Sequence, residues 1–86
     1  MNSSPTTWEV VLGRVESKVN RHSFYTWFKR TSQIADDGGS LVIQVTDDLV
    51  REWLEKHYAG VLAEALAEVG RPGTRLEFLT EAQVQE

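Results

Sequence analysis

Apolar residues along this chain recur first at helical spacing, then alternate, then return to helical spacing and alternate once more. That sequence of periods reads as helices, strands, a long helical stretch and a last strand. Thr6-x-x-Glu9 fits a capping box, in which a hydroxyl and a carboxylate satisfy orphan N–H groups reciprocally, so the first helix should begin near Thr6. Trp8, Val11, Leu12, Val15 and Val19 form its apolar stripe, with Arg14, Glu16 and Lys18 off it. Asn20 or a neighbour is expected to break this helix, and a second one follows from about Arg21, making an αα-hairpin. In the second helix Phe24, Trp27 and Phe28 fall at i, i+3 and i+4, so one face turns all three toward a core while Tyr25 points elsewhere.

After Lys29 and Arg30 the period changes. Thr31 to Ala35 is a weak strand candidate, Asp36 to Ser40 is rich in turn residues, and Leu41-Val42-Ile43-Gln44-Val45 is a strong β-branched strand. Thr46-Asp47-Asp48 supplies an N-cap and first-turn negative charge for a helix running to about Val69. Its stripe is not straight. Val50, Trp53, Leu54 and His57 share one face, whereas Tyr58, Val61, Leu62, Ala65 and Val69 define a second one, rotated from the first by roughly 80° at ~100° per residue. Gly60 lies near the change, which predicts a kink or a break into two helices. Gly70 and Pro72 end the pattern, Arg75 to Leu79 alternates as a strand, and Thr80 to Glu86 reads as a polar tail. The expected class is α+β in the order ααββα(α)β. Its candidate core comprises Val11, Leu12, Val15, Phe24, Trp27, Phe28, Ile43, Trp53, Leu54 and Leu62.

Composition narrows the function. At 41 % hydrophobic and 26 % charged the 86 residues suit one globular domain, and no apolar run approaches the ~18 residues of a membrane span. The first residues have neither a basic start nor an apolar core, so no secretory signal is read there and a cytoplasmic location is expected. The lack of cysteine removes disulfides, thiolate nucleophiles and the common structural zinc sites. The net charge of −4 is uneven, with +3 on Met1 to Thr31 and −7 on the remainder. An acidic chain is a poor strong binder of nucleic acid, whose affinity comes largely from phosphate neutralisation.

Candidate chemistry is sparse. His22 and His57 belong to no metal-ligand spacing, and no metal site or catalytic residue is expected. Asp36-Asp37 and Asp47-Asp48 are acidic pairs that could hold a cation or act as acid and base, but a turn and a helix start explain them. Gly70-Arg71-Pro72-Gly73 matches the G-x-x-G clamp of KH domains, yet it joins a helix to a strand, where a helix stop accounts for it. Leu49 stands about 100° from the core face, either as a flank of the core or as the apolar centre of a docking patch beside Asp47 and Asp48. Trp8 carries the same two readings, core by its phase or interface by its first-turn position, and Val10 lies on the opposite side of the same helix.

With these residues assembled, Trp8 to Leu79 resembles the N-terminal domain, domain I, of the bacterial replication initiator DnaA. The likeness rests on Trp8-Glu9-Val10-Val11-Leu12, on Ser23-Phe24-Tyr25-Thr26-Trp27-Phe28, on Leu41 to Val45, and on the run from Asp48 to Tyr58. It implies a small KH-like domain over residues 6–79, a three-stranded sheet packed by helices, between a disordered 1–5 and the start of a flexible linker at 80–86. It also implies a non-enzymatic protein interaction module that self-associates weakly and recruits the replicative DNA helicase and initiation regulator proteins at the origin. No cofactor is implied for this domain. ATP and Mg²⁺ are implied only for the full-length initiator, with an AAA+ ATPase module downstream. Trp8 is the residue implied for self-association. Ser23, Asp47 and Leu49 are implied for the partner surface, joined by Tyr25 on the outward side of helix two. Arg30 replaces a usual proline, and Thr46-Asp47-Asp48-Leu49 replaces a Pro-Asn-x-Phe pattern, which puts partner choice in question. The alternative is a weak single-stranded nucleic-acid binder using the basic N-terminal half and Tyr25.

Overall fold

The computed structural model describes residues 4–85. Helix α1 spans Thr7–Glu16 and opens on the expected capping box: the Thr6 hydroxyl accepts from the Glu9 N–H at 3.1 Å, and Glu9 Oε1 accepts from the Thr6 N–H at 3.0 Å. The helix stops at Ser17, earlier than its apolar stripe suggests, because the Ser17 hydroxyl takes the Arg14 carbonyl at 2.8 Å. Asn20 instead starts α2 (Arg21–Trp27), its side chain accepting from the Ser23 N–H at 2.7 Å.

Strands β1 (Ser32–Asp36) and β2 (Ser40–Val45) pair antiparallel, with a register shift between Gln33 and Ala35 that leaves Ile34 exposed. Two helices, α3 (Asp48–His57) and α4 (Ala59–Glu68), carry the chain back to β3 (Arg75–Thr80), which pairs parallel to β2. The result is a mixed three-stranded sheet in the order β1-β2-β3, packed by helices. The α3–α4 break falls at Tyr58, ahead of Gly60, where the Tyr58 ring meets Phe28 edge-on at 5.1 Å and leaves helical geometry (φ −119°, ψ 10°).

One expectation, at the C-terminal end, needs correction. Thr80 to Gln85 is not a featureless tail, since Thr80 closes β3 and caps a short helix α5 (Glu81–Val84) through a second capping box with Gln83. Glu86 and residues 1–3 of the expected disordered N-terminus lie outside the described residues, while Ser4 and Pro5 are exposed and belong to no element.

The core is built from Trp8, Val11 and Val15 of α1, Phe24 and Phe28, alternate β2 residues Leu41, Ile43 and Val45, Leu54, three residues of α4, and Phe78. Leu12 and Trp27 pack against it half-buried. Trp53, expected in the core, sits at its margin, stacked on Trp27 with ring centroids 4.9 Å apart and 11° between planes. Helical phase gives the side of α3 on which Trp53 lies but not how deeply that side is covered. Leu66, outside both apolar stripes of the long helical stretch, is buried.

One polar cluster closes the end of the sheet where β1 turns into β2. Helix α4 ends in a Schellman turn, the Arg71 N–H reaching the Leu66 carbonyl at 2.8 Å and the Gly70 N–H the Ala67 carbonyl at 3.1 Å, with Gly70 at φ +84°. That turn aims Arg71 at Asp36, which it binds at 2.7 Å while the Thr7 hydroxyl donates to the same carboxylate at 2.8 Å. Arg71, the Gly38 N–H and Thr7, in that order, hold the Asp36 carboxyl well below the ordinary carboxylate range. The Gly39 and Ser40 N–H groups lower Asp37 as well. A depressed native pKa means stability that is present above the unfolded value of about 3.9 and lost as pH falls through the native one. Asp36→Asn should therefore lower Tm at pH 7 and flatten the fall of Tm below about pH 4. Parallel acid dependence of variant and parent in thermal melts would exclude Asp36 as a source of that fall.

Candidate partner-binding groove

Asp47 sets the geometry of the candidate site. As the N-cap of α3 it accepts from the Val50 N–H at 3.0 Å, and Asp48 in the first turn pairs with Arg51 at 2.7 Å, so the start of α3 is fixed by its own side chains. This anchoring leaves Leu49 pointing outward at 62 % exposure. Of its two sequence readings, flank of the core does not fit this exposure.

Across from it stands the end of α2. Tyr25 is 53 % exposed, its ring edge-on to Phe24 at 6.1 Å, with the Lys29 ammonium 5.0 Å from its centroid. Between the two elements runs a groove of about 430 Å³ lined by Tyr25, Trp27, Arg30, Asp47, Leu49 and Val50 together with three threonines, Thr26, Thr31 and Thr46. Three of the four residues expected on the partner surface thus share one depression. Ser23 does not join them; it is half-buried in the first turn of α2, with its N–H committed to Asn20.

Arg30, Thr46 and Val50 were not expected as lining. The signal for the first two was present, because Arg30 and Thr46 are where the chain departs from the pattern it resembles. The Trp27–Trp53 stack that braces the groove continues onto His57, whose ring lies 4.1 Å from that of Trp53.

Trp8 is placed differently from the contact residue expected for self-association. It is 1 % exposed, its indole N–H donates to Thr31 Oγ1 at 2.8 Å, and its ring meets Phe78 edge-on at 6.3 Å. The helical phase, which put Trp8 in the core, is the reading the structure supports. On the same helix Val10 is 42 % exposed.

The acidic pairs are occupied by structural work, Asp36 with Arg71, Asp37 with its own turn, Asp47 as a cap and Asp48 with Arg51. Among the described residues no group of three or more His, Cys, Asp or Glu side chains is placed to hold a metal ion. No described helix is long and apolar enough to cross a membrane.

Comparison with known proteins bears on the family. The family described as DnaA N-terminal domain matches residues 5–68. The chromosomal replication initiator protein DnaA of Gloeobacter violaceus is 32 % identical over 82 residues, covering 94 % of this chain and 18 % of that protein. Its counterpart in Deinococcus deserti is 33 % identical over 75 residues, 87 % of this chain and 16 % of the relative, and that of Thermus thermophilus is 31 % identical over 76 residues, 88 % and 17 %. The chain spans less than a fifth of the length of these relatives. A match across most of the helices and strands described above, with relatives of one name on both counts, means that the chain belongs to the DnaA N-terminal domain family.

Proposed function

We propose that this chain is the protein interaction module of a replication initiator, docking the replicative DNA helicase and initiation regulators through the groove between α2 and the start of α3. The observation that carries this reading is Leu49, a large apolar side chain held outward by a capped helix start, in one groove with Tyr25 and Asp47. An exposed apolar centre with a polar rim is the anatomy of a docking patch. Arg30 and Asp47 line the same groove and supply charges of both signs, which would orient a partner and reject one with the wrong pattern. In this reading the domain itself catalyses nothing, works in the cytoplasm, and leaves ATP and Mg²⁺ to the rest of the full-length protein. Weak self-association uses the exposed side of α1 around Val10.

Single-stranded DNA is the weaker alternative. Tyr25 with Lys29 over its ring, next to Arg30, offers stacking and positive charge. Asp47 in the groove and Asp48 beside it oppose a phosphate backbone, so the protein partner is preferred.

Leu49→Ala should weaken binding to the cognate helicase about tenfold or more in calorimetric titration, as for a central interface anchor, while leaving Tm within about 1–2 °C of the parent because the side chain packs on little. Equal affinity of both proteins would remove the groove from the proposal. For self-association, Val10→Lys should leave only monomer in sedimentation at concentrations where the parent dimerises; a dimer retained by the variant would place that contact elsewhere.

A further inference from the structure

Among the described residues the sheet ends on β3, which has a strand neighbour on one side only. One bond sets the direction of its backbone groups: the Arg75 N–H donates to the Gly39 carbonyl at 3.0 Å, so position 75 turns toward β2. Successive residues of a strand aim their polar groups in opposite directions. Arg75, Glu77 and Leu79 therefore serve the β2 ladder, and Leu76, Phe78 and Thr80 aim N–H and C=O at the open edge. The Thr80 N–H agrees, since it donates to Gln83 Oε1 at 2.8 Å, and the α5 capping box thereby closes the last outward donor. Leu76 and Phe78 are left as an open window.

The side chains of these same two residues line a groove of about 230 Å³, whose other walls include Leu54 of α3 and Leu62 and Leu66 of α4. On α4 the small exposed residues Ala59 and Ala63 line it too and leave room above it. Among the described residues Glu55 is the one charged side chain in the lining, and no Lys or Arg joins it. The groove shares no residue with the one between α2 and α3.

We propose that the β3 edge and this groove form a second docking site, which takes an extended apolar polypeptide segment carrying a Lys or Arg opposite Glu55. Backbone hydrogen bonds at Leu76 and Phe78 would add the segment as a short fourth strand, and its alternate side chains would enter the groove, the usual division of labour in strand addition. The charge selects the occupant. A phosphate backbone laid along the groove would meet Glu55 with no cation among the lining residues, whereas a basic peptide meets a complementary carboxylate.

The probes are two synthetic peptides, acetyl-Lys-Thr-Val-Thr-Val-Thr-amide, whose Lys shares one strand face with the valines, and its counterpart with Glu in place of Lys, titrated into the ¹⁵N-labelled 86-residue chain. The Lys peptide should shift the amides of Leu76, Phe78 and Ala59 to Leu66, slow exchange at Leu76 and Phe78, and leave Leu49 unmoved. Ala63→Arg, which puts a long cationic side chain into the groove lining from the exposed face of α4, should abolish these shifts. Glu55→Lys should reverse the preference between the peptides by about threefold, the scale of an exposed ion pair. No shifts at millimolar peptide, an unreversed preference, or shifts at these residues with oligothymidylate instead would each overturn the proposal.

Discussion

A single buried indole ties the helices of this domain to its sheet. The Trp8 N–H of the ring donates to the Thr31 hydroxyl, which donates onward to the Phe28 carbonyl at 2.6 Å. The Trp8 backbone N–H, one of the orphan donors at the start of α1, goes to Gln33 Oε1 at 2.9 Å. Three elements are thereby referenced to one residue: α1, which carries it, the end of α2 at Phe28, and the entry to β1 at Thr31 and Gln33. Hydrogen bonds in such a chain polarise one another, and the low dielectric around a buried ring strengthens them. Removing a buried Trp side chain costs about 3–5 kcal/mol, a large share of the roughly 5–15 kcal/mol that holds a typical domain together.

The position of the candidate groove follows from that anchor. Thr31 is both the acceptor for Trp8 and part of the groove lining, so the depth at which the indole sits helps to set where α2 ends relative to α3. The Trp27–Trp53 stack braces the two helices from the other side. Within this frame the first turn of α3 is determined by its own cap, and Leu49 is exposed because Val50 and Leu54, one and five residues further on, occupy the inward phase. A surface rigidified in this way presents its apolar centre with little entropy left to lose on docking.

The strongly periodic parts of the fold were legible in the sequence. The capping box at Thr6, the aromatic spacing in α2, the alternation in β2 and the displaced stripe that splits α3 from α4 all express local rules that the tertiary structure keeps. Features set by contacts between distant residues were not. The stop of α1 at Ser17, the marginal depth of Trp53 and the linking of Arg71 to Asp36 and Thr7 depend on neighbours remote in the chain or on one side-chain hydrogen bond. Helix α5 has no legible period because four residues are too few for one, although Thr80-x-x-Gln83 is a capping box in the sequence. At the candidate site the wheel phase of Leu49 left core flank and docking centre open, which the structure decides in favour of exposure. For Trp8 the phase was the better guide than the family likeness.

The central claim is a division of roles, with Trp8 as buried scaffold and the α2–α3 groove as the face a partner reads. Cross-saturation NMR on the labelled chain bound to the cognate replicative helicase tests it most directly. Saturating the helicase should transfer to the Leu49 methyls and to amides lining the groove, from Tyr25 to Thr31 and from Thr46 to Val50, while the Trp8 indole N–H stays unaffected. Strong transfer to the Trp8 indole, with Leu49 silent, would contradict the account.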